Sequence, residues 1–190
     1  MAQPNKSLLM GAVPGIALAA LMVFVIPSSA LVGAQNVTTD GLTPHGYVVV
    51  SVTRDGQEIY HSEDHNLITN AGKDFIAQQI GASTGLASEG AHYIALTTDG
   101  TAPAATDTTL ASEITSGGLA RASGTYAHTS GTNTFTVSNT FTASATHTNV
   151  QKAGLFTASS GGTMMAENTF TAVSLASGDQ LTITWTITLS

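Results

Sequence analysis

Two histidines and two carboxylates crowd one short stretch, His61, Glu63, Asp64 and His65. On an extended strand alternate side chains share a face, so His61, Glu63 and His65 could together present two imidazoles and a carboxylate to a divalent metal. No evident fourth ligand or orienting partner occurs elsewhere, which favours a solvated strand end running into a loop. Gly81-Ala82-Ser83-Thr84-Gly85 spells the G-x-S-x-G of a hydrolase nucleophile elbow. That motif works only where a strand turns sharply into a helix and lifts the serine beside oxyanion donors. Here it follows a predicted helix and enters a loop, in a chain rich in Gly, Ser and Thr, so the expectation is that the protein is not an enzyme. Asp99, Asp107 and Asp179 sit beside turn residues and could offer loop oxygens to calcium. Without a D-x-D-x-D-G loop, turn capping is the expected role and no cofactor is called for. His92, His128 and His147 are scattered over Thr-rich strands and need no special role.

The composition limits what such residues can serve. The chain has 190 residues, enough for one well-buried domain and an appendage. Only 9% of them are charged, against about 25% in typical soluble proteins, so the surface must be hydroxyl-rich rather than ionic. Net charge is −7, and beyond Lys6 the basic residues are Arg54, Lys73, Arg121 and Lys152, none close in sequence to another. Nucleic-acid binding needs a basic footprint to release phosphate counterions, and this chain has none. It contains no cysteine, so disulfides and thiolate sites are excluded together.

The N-terminal residues 1-34 read as a signal peptide or membrane anchor. Lys6 precedes a hydrophobic helix from Leu8 to Ile26, Pro27 breaks it, and Val32-Gly33-Ala34 offers a small-residue cleavage site before Gln35. A retained anchor is the rival, because the apolar stretch approaches the roughly 20 residues that span a bilayer. Either way the remainder is expected outside the cytoplasm, touching a membrane only through this segment. Asn36-Val37-Thr38 makes Asn36 a glycosylation candidate. Residues 35-46, with Gly41, Pro44 and Gly46, read as a flexible arm, and 47-190 as the folded domain.

Within that domain "YVVVSVTRDGQEIYHSE" places two strand-like runs around Asp55-Gly56, a pair suited to a type I′ turn. "TNAGKDFIAQQIG" predicts one short helix, capped by Thr69 or Asn70, with Asp74 in the first turn, Ala71, Phe75, Ile76 and Ile80 on one face, and Gly81 as the stop. His92 to Gly100 reads as a strand and turn, and "TAPAATDTTLASEI" as a connection with room for one helical turn. Strands then recur at Leu119 to His128, Asn133 to Ala143, Gln151 to Thr157, Met164 to Phe170 and Leu181 to Leu189. Regular spacing and alternation predict a mainly β fold, an antiparallel β-sandwich of jelly-roll-like kind. In the last strand Leu181, Ile183, Trp185, Ile187 and Leu189 alternate with four threonines. Trp185, Ile183 and Ile187 are therefore assigned to the subunit's own core, and the threonine face to water.

The segments "NLITNAGKDFIAQQI", "YIALTTDGTAPAATDTTLASEI", "NTFTVSNTFTASATHTNVQKAGLF" and "FTAVSLASGDQLTITWTITL" together resemble a domain of tail-fibre and other minor virion structural proteins of tailed phages and archaeal viruses. The resemblance runs from about residue 60 to the C-terminus and implies a β-sandwich built into a multi-subunit appendage, with no catalytic residues to carry over. The hydrophobic N-terminus is similar instead to exported surface-filament subunits of archaea and bacteria. The function expected is a structural, self-assembling subunit of a pilus-like extracellular filament or virion appendage, polymerising by N-terminal strand donation, with itself as partner. The alternative is a secreted or anchored adhesin for surface carbohydrate, for which one Trp and four Tyr are a thin supply of exposed aromatics.

Overall fold

The computed structural model of the chain describes residues 41–81 and 90–190. The hydrophobic segment 1–34, Asn36 and residues 82–85 of the serine motif lie outside the described residues. The elements are β1 (Pro44–Arg54), β2 (Gln57–His65), β3 (Leu67–Ile68), α1 (Asn70–Gly81), β4 (Tyr93–Thr97), β5 (Ala122–Ser123), β6 (Thr125–His128), β7 (Thr134–Thr142), β8 (His147–Phe156), β9 (Met164–Leu175) and β10 (Gln180–Leu189). They form two five-stranded sheets, β2-β1-β10-β7-β6 and β3-β9-β8-β4-β5, in which every pairing is antiparallel. One hydrophobic cluster draws on both sheets. Three hairpins, β1–β2, β6–β7 and β8–β9, each stay within one sheet, whereas a jelly roll mostly alternates its strands between sheets.

Asp55 (φ 51°) and Gly56 (φ 78°) both occupy the left-handed region that the tight turn between β1 and β2 requires. β1 begins at Pro44, so Pro44, His45 and Gly46 of the expected arm are instead laddered to Leu189, Thr188 and Ile187. β10 is the middle strand of its sheet, and Trp185 lies between Val48 of β1 and Val137 of β7. Leu181, Ile183, Trp185 and Ile187 are each 0% exposed. The opposite face departs from expectation. Instead of pointing freely into water, its hydroxyls pair across to β7: Thr182 with Thr140 at 2.8 Å, Thr184 with Ser138 at 2.7 Å, and Thr188 with Thr134 at 2.9 Å. Thr186, between Tyr47 and Thr136 in the ladder, is buried.

The helix keeps its predicted span, with Thr69 as its cap: the Gly72 N–H donates to Thr69 Oγ1 at 2.9 Å. Thr69 Oγ1 also donates to the Met164 carbonyl at 2.5 Å, tying the helix start to β9. Gly72 lies so close to β9 that a Cβ there would stand 2.2 Å from the Met165 carbonyl oxygen. Phe75 and Ile76 pack on the core. Ile80 does not; it is 67% exposed, because the last turn borders an open groove rather than the sealed interior. Asp74 falls beyond the first turn and takes no part in the cap. The connection after β4 contains turns and bends, with no helical turn.

Two outcomes follow for equilibrium denaturation of the chain. Trp185→Ala should cost about 3–5 kcal/mol, whereas Thr184→Val, which removes one paired hydroxyl, should cost about 1 kcal/mol; equal losses would show that the faces of β10 are not distinct. Gly72→Ala should destabilise by about 1–3 kcal/mol through overpacking against β9, and an unchanged unfolding midpoint would refute that contact.

Candidate functional site

The chemistry-bearing residues gather on the outer face of the second sheet, beneath the connection from β4 to β5. Leu110 of that connection packs with Ala95, Phe156 and Met164 to form a small second core. Thr97 Oγ1 donates to the Ala111 and Ser112 carbonyls, and the Ile114 N–H donates to Leu96, so the connection is sewn to β4. Under it lie Lys152 of β8 and Glu167 of β9, 3% and 1% exposed. Lys152 Nζ stands 3.3 Å from Asp99 Oδ2 and 3.6 Å from Glu167 Oε2. The Ala104 N–H is shared between Asp107 Oδ2 at 3.0 Å and Glu167 Oε1 at 3.1 Å.

Burial pushes the Glu167 carboxyl up to about 7, helped by its hydrogen bond to Asp107 and opposed by the Lys152 ammonium. The same bond holds Asp107 below the usual carboxylate range. Asp99 is also lowered, first by the Thr101 hydroxyl, which donates to Oδ1 at 2.8 Å. One ammonium thus faces three carboxyl groups, and a proton retained on Glu167 relieves the excess negative charge.

Two arginines form bidentate ion pairs of their own. Arg54, at the end of β1, forks onto Asp179 with Nε to Oδ1 at 2.9 Å and Nη2 to Oδ2 at 2.5 Å. That guanidinium, with the Ala176 N–H on Oδ2, brings Asp179 down to about 2. Arg121 forks onto Glu113 at 2.9 and 2.6 Å, donates to the Ala158 and Gly161 carbonyls, and lies 3.7 Å over the Phe156 ring.

Of the residues singled out from sequence, Asp99 and Asp107 belong to this cluster and the others fall elsewhere. β2 does continue through His65, so His61, Glu63 and His65 share its outer face opposite Ser51, Val49 and Tyr47. All three are exposed, and His61 Nδ1 is 3.0 Å from Glu58 Oε1. Among the described residues no group of three or more His, Asp or Glu side chains is placed to hold a metal ion. Asp99, Asp107 and Asp179 each accept a backbone N–H within their own turn, from Thr101, Ala104 and Ala176. Gly81 is the last residue of α1, so the serine motif begins at a helix end rather than a strand end. Lys152 and Glu167 received no role in the sequence reading. Their signal was a lone charge in each of the strand runs "QKAGLF" and "MMAENTF", in a chain where charge is scarce.

A groove of about 480 Å³ opens at one end of the sandwich, lined by Phe75, Ile76, Ile80, Tyr126, Phe135 and Leu189 among others. It adjoins β6, an edge strand whose four residues are all exposed and which carries no Asp, Glu, Lys or Arg. The opposite edge, β2, carries Glu58, Glu63 and Asp64.

The architecture is mainly β, two antiparallel sheets that share one hydrophobic core and leave edge strands at the surface. A family model described as podophage GP4 fiber I protein gp80 matches residues 68–188, more than half of the chain. The chain belongs to this family, and its domain is phage tail-fibre-like. No curated protein and no solved structure matches it. The matched range starts after the β1–β2 hairpin, so the strand that flanks β10 on one side lies outside it.

The two shifted carboxyls give opposite pH dependences. Glu167 is raised from 4.5 to about 7, so its contribution is full below 4.5 and is lost as pH rises through about 7. Asp179 is lowered from 3.8 to about 2, so its contribution is present above 3.8 and is lost as pH falls through about 2. Urea midpoints measured across this range should decline above pH 4.5 on account of Glu167, and Glu167→Gln should flatten that decline. An undiminished slope in the variant would assign it to another group.

Proposed function

We propose that the chain is a structural, self-assembling subunit of a virion appendage, with copies of itself as partner and no enzymatic activity or cofactor. The observation that carries this reading is the fibre-family match over residues 68–188. Low charge supports it, because subunits with 9% charged residues repel one another little. So does the contrast between the two edges of the β10 sheet. Three acidic residues protect β2 from pairing, while β6 offers uncharged backbone beside an apolar groove.

The finer proposal is that residues 35–40 donate a strand to a neighbouring subunit, with the virion surface as the site of assembly and the N-terminal hydrophobic segment as the only membrane contact. Pro44 to Gly46 already pair with β10, so the donated segment must precede them. Deleting 35–40 should leave a monomer of unaltered thermal stability that no longer forms fibres in negative-stain electron microscopy. Fibres of normal length from that deletion would refute strand donation. Wild-type chain that stays monomeric and binds a glycan array would favour the adhesin instead.

A further inference from the structure

We propose that Lys152 and Asp99 join in a spontaneous side-chain amide, with Glu167 carrying the protons. The inference rests on three features of the buried cluster and is independent of the appendage role. First, nucleophile and electrophile are in contact: Lys152 Nζ is 3.3 Å from Asp99 Oδ2, because Lys152 of β8 lies opposite Thr97, the last residue of β4, and Asp99 follows two residues beyond. Folding itself thus fixes a pair separated by 53 positions, the condition under which intramolecular reactions gain most. Second, Asp99 Oδ1 accepts from the Thr101 N–H at 3.3 Å and the Thr101 hydroxyl at 2.8 Å. These donors keep the carboxylate ionised in the resting state, and they point at the oxygen that gains negative charge when the carboxyl carbon is attacked. Third, Glu167 Oε2 lies 3.6 Å from Nζ, and its carboxyl retains a proton up to about pH 7.

The step balances without any further reactant. One ammonium proton passes across the 3.3 Å contact to Asp99 Oδ2, leaving a neutral amine and a neutral acid. The amine lone pair attacks Asp99 Cγ, forming the Nζ–Cγ bond and placing the negative charge on Oδ1. Glu167 gives its proton to the departing Oδ2 hydroxyl and recovers one from Nζ. The Cγ–Oδ2 bond breaks and one water leaves. Three ammonium hydrogens become one amide hydrogen and two in water, and Glu167 ends as it began. In the resting state Asp107 is hydrogen-bonded to Glu167 and helps it retain its proton. Losing the ammonium removes the one charge that opposes Glu167's upward shift, so the sign of the pH dependence above is unchanged.

For a chain without cysteine, such a bond would take the place of a disulfide, locking the start of the connection after β4 to the middle of β8. The test is peptide mapping of the folded full chain after denaturation and trypsin. The amide predicts that cleavage after Lys152 fails, and that segment 74–121, which holds Asp99, emerges branched to segment 122–190, lighter by one water than the two together. Lys152→Arg should release 74–121 unbranched. Glu167→Gln, which preserves the side chain's shape, should slow branching by about 10²-fold or more with an unchanged circular dichroism spectrum. Free segments 74–121 and 122–152 from the wild-type chain would overturn the proposal and leave an ordinary buried ion pair. A water lost within 122–190 while 74–121 is free would place the bond on Glu167 and overturn the assignment to Asp99.

Discussion

The antiparallel ladder between β1 and β10 is the constraint on which the rest of the domain depends. It runs from Thr53 opposite Gln180 to Pro44 opposite Leu189 and is closed at each end, by the Arg54–Asp179 fork and by reciprocal backbone hydrogen bonds between Thr43 and Ser190. Because this ladder makes β10 a central strand, Trp185 can be sealed on both sides and packed in one core with residues of the facing sheet such as Ile94 and Leu155. A register slip by one residue would turn the aliphatic row outward and the threonines inward. The family's matched span does not include β1. In this chain the preceding hairpin covers the flank of β10, so that a strand with so much apolar surface does not lie at an edge.

The second sheet solves a different problem. Its inner face joins the core, and its outer face is covered by the connection between β4 and β5, which brings Leu110 onto Phe156 and closes over Lys152 and Glu167. Buried ions are costly unless each finds a partner, and here every member has one: the ammonium has Asp99 and Glu167, and the carboxylates have the Ala104 and Thr101 N–H groups. Such a cluster contributes little net stability over an apolar replacement, but removing one partner strands the others. It therefore fixes where the connection lies more than how tightly the domain holds together.

The fibre-like character and the buried cluster meet in the distribution of charge. With so few charged residues, placing four of them in one covered cluster leaves the β6 edge and the neighbouring groove nearly free of charge. Surfaces of that kind tolerate close approach by another chain, whereas the acidic β2 edge resists it.

Much of the local structure was legible in the sequence. Alternation in "LTITWTITL" specified a strand with one buried face, Asp55-Gly56 specified the turn, and the cap and stop specified the helix from Asn70 to Gly81. These features are local, with periods of two or three to four residues, and the lack of cysteine excluded thiol chemistry in the same direct way. What the sequence could not supply was which strand lies beside which. The pairing of threonines on β10 with β7, the exposure of Ile80, and the capture of Pro44 to Gly46 by β10 depend on neighbours far along the chain. The contact of Lys152 with Asp99 and Glu167 is of the same kind. An isolated charge in a strand reads as surface, and only the closing of a distant connection over that face takes it out of water.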